Sequence, residues 1–333
     1  MKKFLNDPAN FVDEMLEGIY LAHPAVTYVG DDKRCLVTAK VKPGKVGIAT
    51  GGGSGHLPLF LGYVGDGMLD GAAVGGVFQS PSAEQIYQVT KHIDQGAGVL
   101  YIYGNYSGDI INFEMAGELA AFDDIAVKHV VGNDDVASSI VGEEHKRRGV
   151  AGIFFIYKSA GAAAAEGLSL DEVTRIADKA RSRTRTMGVA LSSCVVPEIG
   201  HATFSIGEDE MEIGMGIHGE PGISRKKLAP ADAVIDELME RIFAEQDYKK
   251  HDEVAVLVNG LGGTPMEELY ILFRRVSQLL QRRNVTVKYV WIGEFATSME
   301  MAGASISILH LDNELDRLVA APARTPFFQH VAG

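Results

Sequence analysis

Lys45-Val46-Gly47-Ile48-Ala49-Thr50 runs straight into Gly51-Gly52-Gly53-Ser54-Gly55-His56-Leu57-Pro58. A short, largely apolar run reads as a buried strand. Four glycines, followed by a helix-like segment, read as a strand-to-helix turn. In such a turn, backbone N–H groups line a hollow that no side chain fills, and a helix start there favours electron-rich oxygen. A phosphate, a carboxylate and a polyhydroxy substrate all suit that description. His56 stands at the mouth, where an imidazole can give or take a proton near neutral pH. A tight turn around a hydrogen-bonded structural histidine would use the same letters. No Gly-Lys-Ser/Thr closes the loop, which argues against a nucleotide P-loop.

Outward from this stretch, short apolar runs alternate with longer helical patterns, the signature of an α/β fold with parallel or mixed sheets. The patterning predicts strands at 45–50, 98–103, 125–131 and 152–157, with amphipathic segments at 83–93, 110–121 and 136–146. A further helix opens at Leu168, where Ser169 and Glu172 have capping-box spacing. It ends in the basic stretch Arg181-Ser182-Arg183-Thr184-Arg185-Thr186, which has no apolar period. Beyond it, strands are predicted at 211–217, 254–258, 285–292 and 305–309, and long helices at 230–244 and 266–282. The expected organisation is two α/β domains, residues 1–186 and 187–315, with 316–333 returning to the first. Ligands of open α/β sheets collect at the carboxyl ends of strands.

The 333 residues suit two domains of ordinary size. A net charge of −13 leaves no basic footprint for nucleic acid or an anionic membrane. Cys35 and Cys194 are too few for a disulfide framework or a structural zinc site, so reduced thiols and a cytoplasmic location are expected. The residues after Met1 lack the apolar core of a signal peptide, and the longest apolar run is interrupted by Lys158-Ser159.

Two further motifs carry chemistry. Tyr103-Gly104-Asn105-Tyr106-Ser107-Gly108-Asp109 follows a predicted strand, so Asp109 is either a helix N-cap or a carboxylate presented beside the glycine loop. In Gly214-Met215-Gly216-Ile217-His218-Gly219-Glu220-Pro221-Gly222 a histidine is flanked by glycines at a strand end. The expectation is an imidazole open on nearly every side, able as a neutral base to attack an electrophilic carbonyl.

Together with Gly62 to Gly71 and Val77-Phe78-Gln79-Ser80-Pro81, these motifs resemble the dihydroxyacetone kinase family, specifically its substrate-binding subunit DhaK, in order and spacing over essentially the whole chain. The resemblance implies that a short-chain ketose is bound in the first domain. It implies that His218 forms a covalent hemiaminal with the ketone carbon, that His56 binds the substrate and accepts a proton, and that Asp109 activates the terminal hydroxyl. Gly53 matches a backbone contact, and Gly52, Ser54, Gly55 and Gly104 are expected to line the site. Covalent capture would reject glycerol, which has no carbonyl carbon to trap.

The resemblance also implies that this chain holds no cofactor or metal and works with a nucleotide-binding DhaL-type subunit. That partner would carry Mg and ATP, or ADP recharged by a phosphotransferase-system protein. A homodimer is expected. Gly104 stands where many relatives have a lysine, and Gly76 where many have a larger polar residue. A roomier site would suit a tetrulose such as erythrulose in place of the triose. A non-catalytic, ketose-sensing co-activator is the alternative from another class.

Overall fold

A computed structural model describes residues 2–331. The chain forms two compact units that are not consecutive in sequence. One comprises the chain up to Gly132, Phe154–Arg181 and the part from Leu315 onward; the other comprises Asn133–Ile153 and Ser182–Glu314. This departs from a single cut after 186, because Asn133–Ile153 lies with the second unit. Residues 1, 332 and 333 of the expected first domain lie outside the described residues.

The first unit holds α1 (Phe11–Ala22) and strands β1 (Val26–Tyr28), β2 (Cys35–Thr38), β3 (Gly47–Ser54), β4 (Gly71–Val77), β5 (Val99–Gly104) and β6 (Val127–Gly132). They form one sheet in the order β1-β2-β4-β3-β5-β6. The last four strands are parallel, and β1 and β2 are antiparallel additions. From β3 the chain goes to β4 on one side and then returns to β5 on the other. The topological switch point of the sheet therefore lies between the carboxyl ends of β3 and β5, where open α/β sheets form their crevice.

Two helices follow the pattern read in the sequence. α2 (Ala83–Ile93) begins with a complete capping box between Ser82 and Gln85, and α3 is Ser107–Phe122. Val37, Ala49, Ile86, Val89, Val99, Tyr101 and Phe113 join strands and helices in one apolar cluster. Where a strand is expected at 152–157, a turn at Gly152 leads into α4 (Ile153–Ala165). This helix is buried almost all round, so no amphipathic period marks it, and an apolar run of that kind is ambiguous by pattern. Gly161 lets it approach the Met68 backbone, where a Cβ would lie 2.4 Å from Met68 Cα. α5 (Leu170–Ser182) follows.

The second unit has a mixed sheet of β7 (Thr184–Ala190), β8 (Glu210–Ile213), β9 (Ser224–Lys227), β10 (Glu253–Gly260), β11 (Thr286–Gly293) and β12 (Gly303–His310), in the order β11-β10-β12-β7-β8-β9. α6 (Ala231–Glu245) and α7 (Met266–Arg282) supply Val234, Ile235, Leu238, Leu269 and Val276 to its core. The basic stretch read as a boundary continues into β7. The strand tolerates polar residues because its buried hydroxyls are satisfied, as where Thr186 Oγ1 donates to Ser307 Oγ at 2.7 Å. Residues 136–146 form turns and a short 3-10 segment, Glu144–Lys146, because Gly142 adopts φ 91° and interrupts any helix. α8 (Asn313–Ala320) leads the chain back into the first unit.

Candidate functional site

Gly52, Gly53 and Ser54 belong to β3 itself, and no α-helix follows them. The glycines answer a packing demand. A Cβ would lie 2.8 Å from the Ala73 carbonyl oxygen at Gly51, 2.3 Å from the Phe60 ring at Gly52 and 2.7 Å from the Gln79 backbone nitrogen at Gly53. Only Gly55, with φ 98°, uses the left-handed region. Turns then lead to a three-residue 3-10 segment, Leu61–Tyr63, entered through Phe60 at φ 67°. The helix start expected to favour an anion here is therefore absent, since Phe60 cannot continue a right-handed helix.

His56 follows the end of β3 and is 1% exposed. Its ring stacks on Phe78 at 4.9 Å and meets the edge of Phe60 at 6.1 Å, so two aromatic walls set its plane. Phe78 follows β4, and its N–H donates to the Ser54 carbonyl at 3.0 Å. Ser54 Oγ donates to the Gly75 carbonyl at 2.8 Å, tying the ends of β3 and β4 together.

Across the switch point, Gly104 closes β5, and its carbonyl accepts the Tyr106 N–H at 2.8 Å. Tyr106 is the N-cap residue of α3, so Asp109 is the third residue of the helix and not its cap. Its carboxylate is buried in the first turn, where the helix dipole favours negative charge. Gly108 sits against Ser80, since a Cβ there would meet Ser80 Oγ at 2.7 Å. The ends of β3, β4 and β5 thus converge, bringing Gly52, Gly53, Ser54, Gly55, His56, Gly104 and Asp109 to one edge of one sheet. Behind them Tyr103 stacks on Phe113 at 4.2 Å. Burial raises its hydroxyl pKa, and the charges of Glu114 and Asp109 add to that effect.

His218 belongs to the second unit, in the loop between β8 and β9. β8 ends at Ile213 because Gly214 turns the chain with φ 77°. The ring is not open on nearly every side: the side chain is 23% exposed. One face of the turn is closed by Glu220. This carboxylate accepts the His218 backbone N–H at 2.9 Å through Oε2 and lies 2.9 Å from the ring Nδ1 through Oε1. A Cβ on Gly216 would fall 2.1 Å from Glu220 Oε2 and 2.5 Å from an Arg148 nitrogen, so glycine is what allows the carboxylate in. Burial is the largest single influence and works against the Glu220 charge, but the hydrogen bond and charge of His218, a backbone hydrogen bond and the positive charge of Arg148 together outweigh it, bringing the carboxyl to about 2. Arg148 is itself held by Asp135 at 2.8 Å and by the Gly214 carbonyl at 2.9 Å.

Sequence reading missed Phe60, Phe78 and Glu220. The aromatic walls carry no spacing signal, because they meet His56 only through the sheet. Glu220 was legible as a carboxylate two residues past the histidine in a turn bounded by Gly219 and Pro221-Gly222. The space expected at Gly76 is not empty, since a Cβ there would lie 2.8 Å from the Gln79 side-chain oxygen. Among the described residues, no three or more His, Cys, Asp or Glu are grouped to hold a metal ion, and no helix is long and apolar enough to cross a membrane. Cys35 and Cys194 are buried free thiols.

Two α/β units define the class: one carries a buried histidine and a buried carboxylate at the switch point of a largely parallel sheet, the other a carboxylate-held histidine. The chain belongs to the Dak1 domain family, whose model matches residues 17–327. It is similar to the dihydroxyacetone-binding subunit DhaK of a PTS-dependent dihydroxyacetone kinase from Listeria innocua, with 46% identity over 331 residues and 99% of each chain covered. It is 42% identical to the D-erythrulose kinase of Mycolicibacterium smegmatis, where the match takes in 100% of this chain and 58% of that enzyme. Among solved structures, the dihydroxyacetone kinase of C. freundii superposes with a TM-score of 0.91 at 29% identity, covering 99% of this chain and 60% of that one.

Proposed function

We propose that this chain is the ketose-binding subunit of a dihydroxyacetone kinase. It captures the ketone carbon as a hemiaminal on His218 and presents the terminal hydroxyl for phosphorylation. Asp109 takes the hydroxyl proton as the new O–P bond forms, and His56, held in plane by Phe60 and Phe78, binds the substrate oxygen and accepts a proton. Gly52, Gly53, Ser54, Gly55 and Gly104 form the wall against which the small substrate lies. The observation that carries this reading is the convergence of His56, just after β3, and Asp109, in the helix after β5, at one carboxyl edge beside side-chain-free backbone. Phosphoryl transfer depends on positioning and charge stabilisation more than on covalent chemistry, and a captured ketose holds its hydroxyl in one orientation.

The phosphoryl donor belongs to a separate DhaL-type subunit, which would hold Mg with ATP, or ADP recharged by a phosphotransferase-system protein. The working unit is a homodimer of this chain in the cytoplasm. Dihydroxyacetone is the first candidate substrate, supported by the 46% identity over full length to a dihydroxyacetone-binding subunit. Erythrulose is the second, supported by the 42% identity to a D-erythrulose kinase and by the absence of a side chain at Gly104. A ketose sensor would need His218 but has no use for Asp109.

Carbon NMR of carbonyl-labelled dihydroxyacetone and erythrulose, with the protein and with His218→Ala, tests the reading. A protein-bound tetrahedral carbon in the wild type alone is the expected result, and the better-captured ketose is the substrate. Capture that persists in His218→Ala would remove the covalent role from His218.

A further inference from the structure

We infer that Glu220 is the positioning residue that makes His218 a nucleophile: it holds the imidazole in the Nδ1–H form, with the basic lone pair on Nε2, and balances the positive charge that develops when Nε2 bonds to carbon. This rests on the hemiaminal reading above for the chemistry, while the tautomer stands on the geometry of the second unit alone.

Both Glu220 oxygens are committed to one residue, Oε2 to the His218 backbone N–H and Oε1 to Nδ1, each at 2.9 Å. The first bond fixes the carboxylate against the main chain, so the second fixes the ring's rotation. An ionised carboxylate has no proton to donate. The contact at Nδ1 therefore requires Nδ1 to be the donor, and the neutral ring then keeps its lone pair on Nε2. The arrangement is built from behind. Gly216 has no Cβ to fill the carboxylate's place, and Arg148, anchored on Asp135 and on the Gly214 carbonyl, sets a positive charge near it. The logic matches that of a buried carboxylate orienting an imidazole through Nδ1 in an acyl-transfer triad.

The Nε2 lone pair forms the N–C bond, and the carbonyl π pair moves to oxygen, giving an imidazolium and an alkoxide. The imidazolium keeps its Nδ1 proton in the hydrogen bond to the Glu220 carboxylate, and the alkoxide takes a proton from solvent. The product is an N-substituted imidazolium paired with Glu220 and bearing a hemiaminal hydroxyl, with one proton taken up from solvent. Release of the ketose is the same sequence in reverse. Without the carboxylate, the cationic stage loses its counter-charge and the ring loses its fixed tautomer.

Two measurements on the full chain test this. In the first, nitrogen-15 spectra of labelled histidine report the tautomer of His218, with His218→Ala assigning the signal. The wild type should show Nδ1–H, and Glu220→Ala should shift the ring toward Nε2–H or a mixture. In the second, the carbon NMR capture of labelled dihydroxyacetone is titrated with Glu220→Gln, which keeps an oxygen acceptor and a similar volume but no charge. Its capture should weaken about ten- to a hundredfold, the worth of a hydrogen bond to a charged group. An Nε2–H ring in the wild type, or undiminished capture by Glu220→Gln, would overturn the inference. If the wild type captures no ketose, the hemiaminal reading fails, and the tautomer spectrum still decides the role of Glu220 in holding the ring.

Discussion

Replacing the Asp109 carboxylate by an amide keeps its shape and removes its basicity, and it leaves the start of α3 intact, because Tyr106 and not Asp109 is the N-cap residue. Asp109→Asn should therefore bind ketose within a few-fold of the wild type. With the partner subunit it should turn over about 10²- to 10⁴-fold more slowly, the usual contribution of a positioned general base. A coupled kinase assay beside the capture titration separates the two effects, and full turnover would overturn the proposed role of Asp109 as base. His56 is constrained differently: its orientation comes from ring packing between Phe60 and Phe78, which polar motifs do not reveal.

Among elements, β3 shows how a glycine run can mean something other than a flexible loop. Gly51, Gly52 and Gly53 are extended strand residues that let neighbouring chain come close. At Gly53 the neighbours are the Phe78 and Gln79 backbones, which no rotamer change can move aside. Gly53→Ala should therefore destabilise by about 1–3 kcal/mol, as overpacking does. Gly18→Ala, in the middle of α1 with nothing within 4 Å of the new methyl, should stabilise by about 0.5–1 kcal/mol. Thermal unfolding of both variants checks the contrast, and equal effects would show that close approach is not what Gly53 provides.

Across the whole chain, the first unit is closed by a segment that is distant in sequence. Lys158 in α4 is fully buried, and its ammonium donates to the Leu318 carbonyl at 3.1 Å and the Ala321 carbonyl at 2.6 Å. Leu318 lies in the last turn of α8 and Ala321 just beyond it, so the ammonium binds the carboxyl end of that helix, where a positive charge is favourable. Lys158→Met should raise hydrogen exchange around residues 315–324 and leave the amides of β10 and β12 unchanged. Burial lowers the Lys158 pKa from 10.5 to about 8. Between those values the folded chain binds fewer protons there than the unfolded chain, so stability rises with pH. The difference in stability between wild type and Lys158→Met should therefore move in favour of the wild type as pH climbs from about 8 to 10.5. Urea unfolding across that range reads it, and a flat difference would mean that the amine keeps its ordinary affinity for protons.

Much of this protein was legible from local pattern. α2 and α7 have the bounds their periodicity predicts, and the core strands β5, β6, β10, β11 and β12 lie within a few residues of their apolar runs. His56, Asp109 and His218 stand out because reactive side chains beside glycine at strand ends are rarely needed for packing alone. Three features needed the folded chain. α4 is buried on almost every side, so burial and not periodicity makes it a helix partner. β7 hides the Thr186 hydroxyl, which finds Ser307 on its neighbour β12. Glu220 becomes a brace because Gly216 leaves room for it and Arg148 supplies charge from a segment about seventy residues away. Periodicity and turn chemistry act between near neighbours and can be read in one dimension. Close approach, shared protons and paired charges depend on distances between remote residues, and those distances exist only once the chain has folded.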